Sequence, residues 1–342
     1  MKINTETSPF ATFILAVSSL ALLGTANIAY ANPELVVYSS RKEHLIKPLL
    51  EQFTQETGIE VKLQTGKANA LIERLKAEGE NTPADIFMTV DAGNLWYAAS
   101  QGLFQPMVLT HIETKIPAHL RDPQALWTGL SVRARTIVYH SERVRPEQLS
   151  SYEALAQPEW KDKLCLRTAK KVYNKSLVSA MIAHDGTEKT EQVLQGWVSN
   201  LATKPHAKDS HVMEAIAAGQ CDLGIVNTYY FGRLQDKHPK TPIKLFWANQ
   251  NSYGTHINTS GAGIVKHAKR RDSAQKLLDW LASDKAQTQF GRVNKEYPAN
   301  PNIPLDPQVA SWGAFKADNL NLAKVGEGQE EAVKLMQKAG YK

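Results

Sequence analysis

Two adjacent tyrosines, Tyr229 and Tyr230, are the residues whose types and spacing point most directly to chemistry. A buried phenol needs a hydrogen-bond partner, and two neighbouring phenols rarely find separate partners unless a ligand receives them. Hard cations prefer oxygen donors, and a bound cation lowers the phenol pKa from its ordinary value near ~10. The pair therefore indicates a site for a hard trivalent cation such as ferric iron (Fe³⁺).

Three more oxygen-bearing side chains fall at the predicted ends of strands or starts of helices. Tyr38 ends the first predicted strand, Asp91 ends the third, and Tyr173 precedes a helix that Asn174 can cap. Such edges face the crevice in open α/β sheets. Tyr38 and Tyr173 could therefore join Tyr229 and Tyr230 to give a site of four phenolates. A lone strand-end tyrosine is more often a packing residue, and Asp91 fits a helix cap equally well.

The charge of such a site suggests further participants. Four phenolates around Fe³⁺ leave one negative charge, which needs a partner when it is buried. Arg133 and Arg233 are candidates because a guanidinium stays protonated and can donate to phenolate oxygens; a purely structural role fits each of them equally well. His44 could add an imidazole, although a histidine at a helix start is more often a surface residue.

The composition limits the classes of function. The chain has 342 residues, 42% of them hydrophobic and 22% charged, which is typical of a globular protein with one large or two medium domains. The net charge is +6, but the basic residues are dispersed except at 266–271, so we expect no nucleic-acid binding. No Walker, GxGxxG, HExxH or GxSxG motif is present, and no nucleophile–base pair indicates an enzyme.

The N-terminus predicts an export signal over residues 1–31. Lys2 gives a weak positive region, residues 13–23 are apolar, and Ala29-Tyr30-Ala31 supplies a small-x-small cleavage pattern. The alternative is an uncleaved membrane anchor, for which the apolar run is short.

The chain has two cysteines, Cys165 and Cys221. In an exported protein an even pair suggests a disulfide, and two separate buried thiols are the alternative.

The hydrophobic pattern predicts two α/β lobes. Residues 35–100 alternate strands with amphipathic helices, which indicates a parallel, doubly wound lobe. A Pro-rich loop is predicted over 103–131, and a second α/β set follows from 136. Two lobes joined by crossing segments form a cleft where small ligands bind. The predicted division is 32–134 with 260–310 for the first lobe, and 135–259 with 311–342 for the second.

Seven stretches make the chain resemble the periplasmic ferric-iron-binding proteins of ABC transporters, especially the FutA/IdiA-like branch of the bacterial extracellular solute-binding family. They are LVVYSSRKEH (35–44), ADIFMTVDAGNLWYA (84–98), GLSVRARTIVYH (129–140), SYEALAQPEWKDKLCLR (151–167), VYNKSLVSAMIAHDG (172–186), CDLGIVNTYYFGR (221–233) and INTSGAGIVKHA (257–268).

The resemblance implies a type II periplasmic-binding fold, two lobes with a hinge, that closes on Fe³⁺. By motif, Tyr38, Tyr173, Tyr229 and Tyr230 would be ligands. The arginines that approach the site in some members map to Arg133 and Arg233, and the family's cysteine pair matches Cys165 and Cys221. Many relatives place a histidine directly after the arginine of YSSR, whereas Lys42 and Glu43 precede His44 here.

These observations predict a monomeric periplasmic protein that captures Fe³⁺ and delivers it to an inner-membrane ABC permease and ATPase, without catalysis. The alternatives are a binder of a small organic solute such as a polyamine or phosphonate and, more distantly, a secreted hydrolase or a structural envelope protein.

Overall fold

A computed structural model of the chain describes residues 1–4 and 34–342. The predicted signal peptide, residues 1–31, lies almost wholly outside these residues. Within the described part, no helix combines the length and apolar character needed to cross a bilayer.

The secondary structure alternates short strands with helices over the whole described region. The strands are β1 (Leu35–Ser39), β2 (Val61–Thr65), β3 (Ile86–Thr89), β4 (Phe104–Gln105), β5 (Thr128–His140), β6 (Leu164–Cys165), β7 (Leu223–Asn227), β8 (Ile243–Phe246), β9 (Ile257–Val265) and β10 (Tyr297–Pro298). The helices are α1 (Glu43–Thr57), α2 (Ala68–Glu78), α3 (Ala92–Ser100), α4 (Val172–Asp185), α5 (Thr187–Ser199), α6 (Asp209–Ala217), α7 (Thr228–Lys237), α8 (Arg271–Leu281), α9 (Asp284–Asn294), α10 (Pro307–Ala310), α11 (Leu322–Glu327) and α12 (Gln329–Lys338).

The first lobe is built on a mixed sheet. Strands β2, β1 and β3 are parallel, as the βαβ pattern predicts. Strand β9 pairs antiparallel with β3, since it enters this sheet from the second lobe. The sequence predicts a parallel sheet for this lobe. The prediction is correct for β2, β1 and β3, but β9 is antiparallel to β3.

Strand β5 belongs to both lobes. Its first half, up to Ala134, pairs with β9, and its second half, from Arg135, pairs with β7 and β8. All thirteen residues of β5 are buried. The predicted loop over 103–131 is thus wrong at its end, because the strand already begins at Thr128.

Three groups of buried apolar side chains lie within the described residues, one in the first lobe and two in the second. One core includes α1, whose residues Ile46, Leu49 and Phe53 recur at helical spacing on its buried face. A second lies between β5, β7 and helices α4 and α5. The C-terminal segment departs from the predicted division: Leu322 and Val325 of α11 are buried in the first core, and α12 contributes to the second.

A disulfide joins Cys165 of β6 to Cys221, just before β7, with their Cα atoms 5.9 Å apart. The disulfide predicted from the cysteine pair is confirmed. It ties together the two neighbouring segments of the second lobe from which Arg167 and the tyrosine pair emerge.

Candidate metal centre

Three of the predicted tyrosines meet in the second lobe. The Tyr229 hydroxyl donates to the Tyr173 hydroxyl at 3.2 Å, and the Tyr229 and Tyr230 rings lie 4.4 Å apart. Tyr173 and Tyr229 are buried, whereas Tyr230 is half-buried. Two oxygens 3.2 Å apart are close enough to share an ion with bonds of about 2 Å. We call Tyr173, Tyr229 and Tyr230 the tyrosine cluster.

Helix starts position all three side chains. Tyr173 is the second residue of α4, and the tyrosine pair occupies the second and third positions of α7, which follows directly from β7. The positive end of a helix dipole favours negative charge, so both helices stabilise phenolates here. Gly232 lets α7 pack closely, because a Cβ at this position would lie 2.9 Å from the Trp312 ring.

Four cationic side chains surround the tyrosine cluster. Relative to the Tyr173 ring centroid, Arg133 Cζ lies 5.8 Å away, Arg167 Cζ 5.3 Å and Lys171 Nζ 4.8 Å. Arg233 lies 5.0 Å from the Tyr229 ring and 5.9 Å from the Tyr230 ring. The structure thus brings both predicted arginines to the tyrosines, and it adds two cations that the sequence did not single out.

Burial holds Tyr173 and Tyr229 in their neutral form in the absence of a bound metal ion. It raises the pKa of Tyr173, helped by Tyr230 and opposed by Arg133. It raises the pKa of Tyr229 well above the ordinary value, and the other two tyrosines add to that effect. The tyrosines therefore need a strong positive charge to ionise.

Asp209 organises the wall behind the tyrosine cluster. Its carboxylate accepts from the backbone N–H of Asn227 at 3.1 Å and from Arg135 at 3.2 Å, and it lies 3.4 Å from Arg167. Arg135 also donates to Asn174 at the start of α4. Asp209 is the first residue of α6, and nothing in the sequence predicts this role for it.

Tyr38 is not brought to the tyrosine cluster. Its hydroxyl donates to Glu78 at 2.9 Å, and Arg74 lies 4.5 Å above its ring. Burial raises its pKa to about 12, and Glu78 adds to this shift. Glu78 lies in the last turn of α2, which leads back towards the amino end of the sheet. The structure therefore separates Tyr38 from the proposed ligand set.

The two remaining predicted residues have other surroundings. Asp91 caps α3 by accepting from the N–H of Gly93 at 2.9 Å, accepts from Ser176 of α4 at 2.8 Å, and lies 3.6 Å from Arg133. It thereby links the first lobe to α4 beside the tyrosine cluster. His44 is exposed in the first turn of α1.

The candidate donors that the structure brings together are phenols. Within the described residues, no group of three or more histidine, cysteine, aspartate or glutamate side chains could hold a metal ion. A cavity of about 1060 Å³ is lined by Lys171 and Lys175 of the second lobe and by Asn94 of the first. Of the tyrosine cluster, Tyr230 lines a different cavity of about 990 Å³, together with Arg233.

Comparison with known proteins identifies the family. Residues 81–322 match the family model described as "Bacterial extracellular solute-binding protein". This chain belongs to that family.

Named relatives agree over nearly the full length. The chain is 42% identical over 315 residues to "Iron uptake protein A1" of Synechocystis sp., covering 90% of this chain and 88% of the relative. The solved structure of Trichodesmium IdiA (FutA) in complex with iron and citrate ligands matches with a TM-score of 0.87 and 41% identity, over 90% of this chain and all of that one. Apo FutA2 from Synechocystis PCC6803 matches with a TM-score of 0.86 and 42% identity, over 90% of this chain and 99% of that one. The predicted two-lobed type II periplasmic-binding fold is confirmed.

Proposed function

We propose that this protein captures ferric iron through tyrosine phenolates in the cleft between its lobes. The observation that carries the proposal is the meeting of Tyr173, Tyr229 and Tyr230, with two hydroxyls 3.2 Å apart in a ring of cationic side chains. Relatives named as iron uptake or ferric iron-binding proteins support the same ligand.

Charge explains the preference for Fe³⁺. Each phenol loses its proton when it binds the ion, so three phenolates neutralise one ferric ion. A divalent ion would leave an excess negative charge in a mostly buried site, and it would lower the phenol pKa less. The site is therefore selective for a hard trivalent cation over a divalent one.

The protein acts by binding and release rather than by catalysis. The second lobe supplies the tyrosine cluster, and the first lobe supplies Arg133 and Asp91 at its edge. Fe³⁺ displaces the hydroxyl protons, and the cations around the cluster hold the phenolates in place. Tyr38 is left out of this ligand set because Glu78 holds its hydroxyl.

The proposed setting is the periplasm. The N-terminal pattern at 1–31 directs export, and the loaded protein, as a monomer, delivers iron to an ABC permease and its ATPase at the inner membrane. This setting follows from membership of an extracellular solute-binding family and from relatives named as periplasmic.

The test is optical. The purified protein saturated with ferric iron should show an intense visible band from phenolate-to-iron charge transfer, and a Tyr229→Phe/Tyr230→Phe double variant should lose it. A colourless saturated wild type would overturn the proposal.

Calorimetry separates iron from organic solutes. We expect heat of binding with ferric citrate and none with putrescine or 2-aminoethylphosphonate. Binding of either organic solute with retention of the signal in the double variant would identify an organic-solute binder instead.

A further inference from the structure

Arg167 is a buried cation of the site with side-chain N–H groups that lack a hydrogen-bond partner in the described part of the chain. Its side chain is 8% exposed; its Nε atom has no partner, and its Nη1 atom forms an ion pair with Asp209 at 3.4 Å without a hydrogen bond. By contrast, Arg133 donates to the Val90 carbonyl and to Ser260. A buried guanidinium with free donors is costly unless an acceptor is supplied when the ligand binds.

Arg167 lies next to both Asp209 and the tyrosines. Its Cζ atom lies 5.3 Å from the Tyr173 ring centroid. Burial lowers the pKa of its guanidinium, but Asp209 and the nearby Tyr230 hydroxyl outweigh this effect and raise that pKa above the ordinary value. Asp209 lies 3.4 Å away and fixes the guanidinium from behind. Arg233 approaches differently, because it faces the rings of Tyr229 and Tyr230 rather than being anchored behind their oxygens.

We infer that Arg167 donates a charge-assisted hydrogen bond to the Tyr230 phenolate in the iron-bound state, and that Asp209 is the residue that positions it. This inference rests on the proposed ferric function and adds to it a residue that neither the tyrosine motif nor the predicted arginines include. A charge-assisted hydrogen bond from Arg stabilises the phenolate and holds it in one orientation.

The experiment compares three variants of the full chain loaded with ferric iron. Arg167→Gln removes the charge, Arg167→Lys keeps it, and Arg145→Gln, at an exposed arginine outside the tyrosine cluster, is the control. Transfer of iron to excess EDTA at fixed pH should be about 10- to 100-fold faster for Arg167→Gln, within the range typical of residues that support metal ligands. Arg167→Lys should recover most of the loss, and Arg145→Gln should stay within about twofold of the wild type.

Two further readouts distinguish a charge role from a structural one. Loss of the hydrogen bond raises the energy of the phenolate electrons, so the charge-transfer band of Arg167→Gln should move to longer wavelength. Loss of a nearby positive charge should also make the iron harder to reduce, giving a more negative reduction potential. The Asp209→Asn variant keeps an oxygen acceptor for the Asn227 N–H and should shift the band in the same direction by less.

The outcomes are separable. An iron-loaded Arg167→Gln protein with wild-type band, transfer rate and unfolding midpoint would overturn the role of Arg167 while leaving the ferric function intact. If the difference between Arg167→Gln and wild type vanishes in bicarbonate-free buffer, Arg167 serves a bound oxyanion, and the inference is equally wrong. A wild type without any ferric band would refute the proposed function itself.

Discussion

Tyr38 in the first lobe and Tyr173 in the second are both buried tyrosines, yet their hydroxyl groups have different hydrogen-bond partners. The Tyr38 hydroxyl donates to the Glu78 carboxylate. The Tyr173 hydroxyl accepts from Tyr229, and Arg133, Arg167 and Lys171 lie around its ring. A carboxylate partner favours the neutral phenol, whereas a ring of cations favours the phenolate.

The comparison shows that the tyrosine residue type alone does not make a ferric ligand. Burial raises the pKa of both tyrosines. At Tyr38, Glu78 adds to this shift and Arg74 opposes it; at Tyr173, Tyr230 adds to the shift and Arg133 opposes it. The two phenols therefore differ most clearly in the hydrogen-bond partner of the hydroxyl, which is a carboxylate for Tyr38 and another phenol for Tyr173.

Replacing one tyrosine in each lobe tests this difference most directly. Tyr229→Phe should weaken ferric binding by more than about 100-fold, because loss of a ligand exceeds the effect of losing a supporting residue. Tyr38→Phe should leave ferric affinity within about twofold and reduce stability by about 1 kcal/mol, for its lost hydrogen bond. Competition with a chelator and urea unfolding measure the two effects. Equal losses of affinity would erase the distinction between the lobes.

Removing the disulfide tests whether the second lobe depends on its covalent tie. Cys165→Ser/Cys221→Ser should lower the free energy of unfolding by about 4 kcal/mol for a loop of this length, with a separation of 56 residues. Iron transfer to a chelator should also quicken, because Cys165 lies two residues before Arg167. Reduction of the wild type with dithiothreitol should reproduce both effects, and a stability change below about 1 kcal/mol would contradict the expectation.

Alkaline unfolding tests the first lobe alone. The pKa of Tyr38 is about 12 in the folded protein, above the ordinary value of 10. Between these values the unfolded chain has lost a proton that the folded protein keeps, so this contribution to stability is present below pH 10 and is lost as pH rises through 12. Iron-free wild type should therefore lose stability more steeply than Tyr38→Phe over this range. The exposed Tyr97→Phe is the control, and parallel slopes for wild type and Tyr38→Phe would disprove the assignment.

The smallest effect is expected at His44. Its side chain is exposed at the start of α1, so His44→Ala should change neither the charge-transfer band nor the rate of iron transfer. A shifted band in this variant would show that His44 reaches the iron when the lobes close.

The sequence predicts more of the fold than of the site. Short apolar runs predict β1 and β3, which are buried at every residue, and alternating apolar residues predict β2. The same reasoning misses the start of β5, because Arg133 and Arg135 look solvent-exposed in a sequence although both are buried. Their burial depends on Asp91 and Asp209, which are distant in the chain.

Within the site, local chemistry could be predicted and long-range partners could not. The adjacent tyrosines directly follow a strand. Residues 221–233 therefore suffice to predict that the pair lies near the end of that strand, where a cleft is expected. Whether Tyr38 faces the cleft depends on where Glu78 lies, 40 residues away. Arg167 is likewise visible only once Asp209 and the tyrosines have folded around it.

The continuity of β5 has a mechanical consequence. Arg133 is held by the first lobe through Val90 and Ser260, and Arg135 is held by the second through Asp209 and Asn174. They are two positions apart on one strand, so any rotation of one lobe against the other must bend the backbone between them and alter the spacing of the two guanidinium groups. A rotation of the lobes about this strand would therefore also change the electric field at the tyrosine cluster.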